Sequence, residues 1–275
     1  MADVTLTYKG STIAEMNDTG TKTLKTSGKY CEGDIGVSYV KPSSGSVSGW
    51  DESTVKSLIE RSSILNLTLP SDLTKIGKGA FYGCQYLKNI TLPNTVTRIE
   101  DFAFTGCSNL ILNSIPSNVT YIGKGAFSGC SNINFTKLPN GLTTIYRDAF
   151  NMCTNLALTS IPSVHSIEES AFYSCNSLNI NTISARYIKD NAFAYCNSLT
   201  EITIDGNTSV YNYAFRECAN LTKVTFKKSD VSISSYAFNG CTNLTNIYVP
   251  WAEGAVAGAP WGATNATIHY NTTTT

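Results

Sequence analysis

Apolar residues along this chain fall into two regimes. Near the start they alternate, as Val4, Leu6 and Tyr8, then Ile35, Val37 and Tyr39. A period of two puts such side chains on one face of a strand. Lys9-Gly10, Asn17-Asp18-Thr19-Gly20 and Ser27-Gly28 supply turns between them. The spacing predicts a small β unit over residues 1–42. So short a piece buries little apolar surface alone. It is therefore expected to pair with another chain or pack on a neighbour.

Over residues 76–250 one phrase recurs eight times. Its clearest statement runs from Ile122 through Ala126-Phe127 to Cys130, Asn132 and Ile133, and closes at Leu138-Pro139. The Ala-Phe-x-x-Cys core places phenylalanine at 81, 104, 127, 150, 172, 193, 215 and 238, in steps of 23, 23, 23, 22, 21, 22 and 23. A repeat this short, with so little drift, predicts a solenoid. Ile76, Ile99, Ile122, Ile145, Ile167, Ile188, Val210 and Ile233 open the coils. Ala-Phe follows in a short helix-like arc, where Phe fills the centre and contributes roughly 1.5–3 kcal/mol by burial. A turn leads into a strand, ended in five coils by a proline such as Pro93 or Pro139. Proline has no amide to donate and so stops a ladder.

The strands take two forms. Leu87/Ile90/Leu92 is repeated by Leu199/Ile202/Ile204, Leu221/Val224/Phe226 and Leu244/Ile247/Val249. The middle coils read Leu110/Leu112/Ile115, Ile133/Phe135/Leu138, Leu156/Leu158/Ile161 and Leu178/Ile180/Ile183, with one inward residue displaced. This predicts a changed strand path and an interrupted ladder there. Residues 43–49, Ser-Ser-Gly-Ser-Val-Ser-Gly, form a linker by composition. In residues 50–75 an acidic start before Val55, Leu58 and Ile59 predicts a capped helix, and Leu65, Leu67 and Leu69 predict a first strand. Terminal repeats are expected to be atypical. Residues 251–275, with Trp251, Trp261 and a last strand over 266–270, are expected to cover the far end. The fold expected is an α/β solenoid of about eight 21–23-residue coils.

Charge removes several functions. Twenty bases balance twenty acids, and charged residues make up only 15%, below the usual quarter or so. No basic face for nucleic acid is expected, nor a membrane held by charge. No run of about 18 apolar residues exists to insert into a membrane. The first residues lack a secretory signal pattern. The expectation is a cytosolic chain, or one that leaves without a signal inside a particle released by lysis.

Eight of the nine cysteines sit three residues after a repeat Phe, while Cys31 stands apart. There is no Cys-x-x-Cys pair of the kind structural zinc uses. Coils about 4.8 Å apart hold β-carbons beyond the disulfide distance of about 3.8 Å. Buried free thiols acting as small hydrophobes are expected. His165 and His269 have no Cys, Ser or carboxylate at a catalytic spacing. Gly77-Lys78-Gly79 and Gly123-Lys124-Gly125 lack the phosphate-loop pattern. Glu168-Glu169 reads as a solvated pair, and the sequons at Asn118 and Asn134 are assigned no glycan. No catalytic, cofactor-binding or metal-ligating residue is expected. Tyr82, Tyr86, Tyr173, Tyr187, Tyr195, Tyr211, Tyr213 and Tyr236 occupy variable positions near the Ala-Phe arc. They either pack laterally along the stack or form a contact surface, for which Tyr is well suited.

The phrase Ile-x-x-x-Ala-Phe-x-x-Cys-x-Asn-Leu with a Leu-Pro strand end resembles the BspA-like class of bacterial leucine-rich repeats. That resemblance implies a right-handed solenoid used for protein or surface binding and not for chemistry. The Leu-x-x-Leu-x-Leu-x-x-Asn strand of other leucine-rich repeats is absent, so their horseshoe curvature does not carry over. Residues 11–40, above all 21–37, resemble a segment of tailed-phage structural proteins, and residues 249–254 and 259–270 resemble the ends of phage-encoded repeat proteins. These resemblances imply a virion component. Residues 1–42 would join a virion protein partner, and the solenoid, a rod about 40 Å long at about 4.8 Å per coil, would meet a host-surface protein or glycan. Strand pairing through residues 1–42 would make a homo-oligomer. The competing expectation is an adhesin on a bacterial cell surface.

Overall fold

The computed structural model describes residues 66–69, 73–85 and 87–272, together with the backbone of four strands ahead of them. Those four are β1 (Val4–Tyr8), β2 (Ser11–Met16), β3 (Lys22–Leu24) and β4 (Ile35–Tyr39). They pair antiparallel in the order β3-β2-β1-β4. The alternating residues meet as cross-strand partners: Val4 with Tyr39, Leu6 with Val37 and Tyr8 with Ile35. The linker at 43–49, the helix expected after residue 50 and Cys31 lie outside the described residues.

In the solenoid each coil-opening Ile is itself part of a strand, which the sequence reading had assigned only as a start point. Ile is β-branched and suits a pleated surface, and its neighbours point outward. Lys75–Ile76, Arg98–Ile99 and Tyr121–Ile122 make one parallel run. Thr144–Ile145, Val164–Ile167, Ala185–Ile188, Ser209–Val210 and Ser232–Ile233 make a second. We call this the short ladder.

The long ladder begins with Asn66–Thr68 beside Asn89–Thr91. It resumes with Thr182–Ile183, Glu201–Ile204, Lys223–Phe226, Asn246–Tyr248 and the closing strand Thr267–His269. Between the two runs only single bridges survive, Asn89 to Ile111 and Lys137 to Ser160. The interruption expected for the middle coils is there. In the first of them Leu110, Leu112 and Ile115 are all buried. An inward residue at the third position instead of the fourth forces the backbone off the straight path that neighbouring coils could pair with.

The helix-like arc is corrected. No α-helix occurs among the described residues, so the solenoid is a β-solenoid and not α/β. An α-helix spends each amide on the carbonyl four residues back. Here alternate amides leave the coil. Gly79, Phe81 and Gly83 donate to Asp101, Ala103 and Thr105 at 3.0, 2.7 and 2.7 Å, while Ala80, Tyr82 and Cys84 donate back to Gly77, Gly79 and Phe81 at 3.2, 3.0 and 3.1 Å. The pattern recurs coil after coil and satisfies backbone that lies against the core.

The eight repeat Phe rings form one column, with centroids 5.1–5.6 Å apart and planes within 15°. That is the offset stacking aromatic rings favour. All eight repeat cysteines are buried and free. They do more than fill space. From Cys107 to Cys241 each Sγ donates to the carbonyl of the Phe in the preceding coil at 2.9–3.1 Å. Beyond the eighth coil Trp251 and Trp261 are buried against Phe226 and close the stack.

Candidate binding surface

Two positions in the arc take a left-handed backbone: the residue before Ala in the first seven coils and the residue before Cys in all eight. Before Cys stand Gly83, Gly106, Gly129 and Gly240, at φ of 72–77°, where glycine has no Cβ to clash. Yet the same column holds Met152, Ser174, Tyr195 and Glu217 at φ of 54–62°. Before Ala, Phe102, Asp148, Ser170, Asn191 and Tyr213 are likewise left-handed, at φ of 54–59°. A side chain in this region costs roughly 1–2 kcal/mol.

Two of these residues, Tyr195 and Tyr213, carry rings that each meet the ring of a neighbouring coil. Tyr173 lies 5.2 Å from Tyr195, and Tyr213 stacks on Tyr236 at 5.6 Å. The Arg216 guanidinium sits 5.6 Å from both Tyr195 and Tyr213. One unbroken ribbon of five side chains therefore crosses the outer arc of four consecutive coils. Its outer end, Tyr236, is 53% exposed. Tyr82 is 51% exposed but stands three coils before Met152 and outside the ribbon. Tyr86 lies outside the described residues.

Tyr187 and Tyr211 belong to another face, the outside of the short ladder. Their rings are 6.5 Å apart, His165 meets Tyr187 edge-on at 5.2 Å, and the Lys189 ammonium lies over both tyrosines at 4.8 and 4.0 Å. The sequence reading missed a matching pair lower on this face: Tyr121 packs on Tyr146 at 5.0 Å, with Arg98 4.0 Å above Tyr121. Their places immediately before and after the coil-opening Ile were the available signal. Burial and the Asp101 carboxylate push the Tyr121 phenol up to about 12. Burial also raises Glu100, but hydrogen bonds from Arg98 and Lys75 outweigh it and hold this carboxyl below its usual range.

The remaining candidates have structural partners. His269 stacks on Tyr248 at 4.4 Å and shares a 2.8 Å hydrogen bond with Asn246. Glu168 accepts from Ser166, and Glu169 pairs with Arg147 at 3.1 Å, so the two carboxylates serve different partners. A Cβ on Gly123 would fall 2.5 Å from the Asp101 backbone nitrogen, so this glycine is set by close coil packing. Asn118 donates to the Asn94 carbonyl at 2.9 Å. Among the described residues no group of three or more His, Cys, Asp or Glu could hold a metal ion.

Comparison with known proteins follows the same lines. The profile of the BspA type leucine rich repeat region matches residues 55–179 and 165–253. A search of curated proteins finds no match. Among solved structures, a leucine-rich repeat protein from Bacteroides ovatus is 21% identical with a TM-score of 0.52, over 75% of this chain and 61% of that one. A leucine rich cell surface protein from Faecalibacterium prausnitzii is 19% identical with a TM-score of 0.43, over 98% and 95%. The pneumococcal vaccine antigen PcpA is 17% identical with a TM-score of 0.39, over 76% and 68%. At such identities the first of these likenesses speaks for the fold, and this chain spans 61% of that protein's length.

Proposed function

The chain belongs to the BspA type leucine-rich repeat family, and on that footing we propose that it is a non-enzymatic binding protein whose arc tyrosines meet its partner. One observation carries this reading. Tyr195 and Tyr213 hold left-handed backbone at positions where glycine serves in other coils. Backbone strain kept in place by the surrounding structure concentrates where a surface has a task. Tyr and Arg are also the residues that dominate binding energy at interfaces, and here they form the ribbon Tyr173, Tyr195, Arg216, Tyr213 and Tyr236.

Binding of the labelled 275-residue chain to bacterial cells tests the ribbon. Tyr195→Gly with Tyr236→Ala is expected to lower binding at least tenfold, while Tyr82→Ala, outside the ribbon, leaves it unchanged. Equal binding by the double variant would sink the reading.

The finer reading is a component of a phage particle. Residues 1–42 attach to a virion protein, and the solenoid projects to meet a host-surface protein or glycan. The resemblance of residues 21–37 to phage structural proteins, and of the closing segments to the ends of phage-encoded repeat proteins, supports it. The outer strands β3 and β4 of the N-terminal sheet offer backbone for pairing with another chain or a second copy. Electron microscopy of particles with and without this gene product is the test, and unchanged density would count against the assignment.

A further inference from the structure

The shortened steps of 22, 21 and 22 residues, from Phe150 through Phe172 and Phe193 to Phe215, lose their residues at the corner that leads from the long ladder to the short one. In the earlier coils two residues separate proline from an inward aliphatic, as in Pro93-Asn94-Thr95-Val96 and Pro139-Asn140-Gly141-Leu142. The next corner, Pro162-Ser163-Val164, keeps one, and Ser184-Ala185 keeps none. The corner from Ile204 to Val210 is again one residue short, and the one from Phe226 to Ile233 is full. The buried corner side chain also shrinks, from Leu142 and Val164 to Ala185, and at the next corner Thr208 donates its hydroxyl to the Ala185 carbonyl at 2.7 Å. Three short corners followed by a full one leave a notch of about 300 Å³ in the side of the rod.

Val164, Ala185 and Gly206 line its floor, and Arg186, Asn207 and Lys228 stand at its mouth. The Ser163 and Ser184 hydroxyls lie 3.3 Å apart on one wall. Arg186 donates from Nε to the Tyr187 hydroxyl at 3.1 Å, and both of its terminal nitrogens carry further donors. Lys227 pairs with Asp205 at 3.7 Å, whereas Lys228 has no ion-pair partner among the described residues. The acid near these groups is Asp230, which acts on the Arg186 charge. Two cations against one carboxylate leave the mouth positive.

Part of the backbone beside the notch is committed to the solenoid. The amides of Val164, His165 and Asp205 donate to Ser184, Thr143 and Ile183 at 3.0, 2.7 and 2.9 Å. What remains is a compact set of hydroxyl, carboxamide, guanidinium and ammonium groups above a small apolar floor, in a volume at the low end for ligand sites. We propose that this notch binds the carboxylate-bearing unit of an acidic saccharide. Its carboxylate meets Arg186 and Lys228 in charge-assisted hydrogen bonds, and its hydroxyls meet Ser163, Ser184 and Asn207. The proposal deepens the binding reading above and rests on it only in that the chain binds. It concerns a separate face from the arc ribbon.

Titration of the 275-residue chain with uronic- and sialic-acid oligosaccharides, their carboxyl-reduced neutral forms and polyglutamate tests it. The acidic saccharides are expected to bind at least tenfold more tightly than the neutral forms or polyglutamate. Arg186→Gln and Lys228→Gln should each lower that affinity at least tenfold. Ala185→Leu, which refills the corner, should abolish binding, with circular dichroism and melting temperature reporting that the variant is folded. Tyr195→Gly with Tyr236→Ala should leave it intact, so a failed ribbon and a failed notch are told apart. Equal binding of neutral and acidic sugars, preference for polyglutamate, no saturable binding, or unchanged affinity in the glutamine variants would each overturn the proposal.

Discussion

The Cys153 thiol donates to the Phe127 carbonyl at 3.0 Å, and that carbonyl also accepts the Cys130 amide at 3.0 Å. Each rung thus ties one coil to the next with a group small enough for the tight turn before Asn. Burial pushes the thiols of Cys107, Cys130, Cys153, Cys175 and Cys218 up, and that of Cys196 up to about 12. An unfolded thiol ionises near 8.5. Below that pH both states hold the proton and stability is at its full value. As pH rises above it, the unfolded chain loses protons that the folded chain keeps, so stability falls toward the folded values. Melting temperature is expected to be level from pH 6 to 8 and to decline from about 9 upward. Cys153→Ala should cost roughly 1–2 kcal/mol at pH 7 and flatten the alkaline decline by one thiol's share, about 1.4 kcal/mol per pH unit. A slope identical to that of the parent would refute the rung's role. At Met152, exposed and at φ 59°, glycine would relieve about 1–2 kcal/mol of strain against about 0.5–1 kcal/mol of lost chain entropy. Met152→Gly should therefore raise stability by roughly 0.5–1 kcal/mol in urea unfolding.

Among the elements, the long ladder shows how one displaced side chain rewrites pairing. Glu201–Ile204 and Lys223–Phe226 match in register over four residues because Ile202/Ile204 and Val224/Phe226 point inward at the same places. Leu110/Leu112/Ile115 and Ile133/Phe135/Leu138 bury equally well without that register. Core burial is the same while ladder bonding is not. Hydrogen exchange should separate the two: amides in 112–115 and 134–138 are expected to exchange at least tenfold faster than those of 202–204 and 224–226. Uniform protection across both blocks would contradict the interrupted ladder. The strand patterns made this break legible. The arc was not legible as a turn ribbon, because Ala-Phe spacing suits a helix equally well. The non-glycine left-handed positions, such as Asp148 and Tyr195, leave no mark in residue type.

For the whole molecule, each coil touches only its neighbours, so stability is close to a sum of coil and interface contributions. The ends then matter most. Trp261 is fully buried, donates from its indole to Ala257 at 2.8 Å, and offers its carbonyl to the Phe238 amide at 2.9 Å. Trp261→Ala should cost roughly 3–5 kcal/mol. The loss should begin at the last coil, with exchange protection falling around Phe238 before Phe104. Simultaneous loss along the rod would argue for one cooperative unit instead. By itself the sequence determined the repeat, its core columns, the cap and the broken ladder. Those depend on local spacing and on the need to bury apolar side chains, which residue type records directly. The tyrosine ribbon, the thiol rungs and the corner notch were decided only by the tertiary structure. They arise between coils, where residues about 20 or more positions apart are brought side by side by stacking, and no single stretch of chain holds that distance.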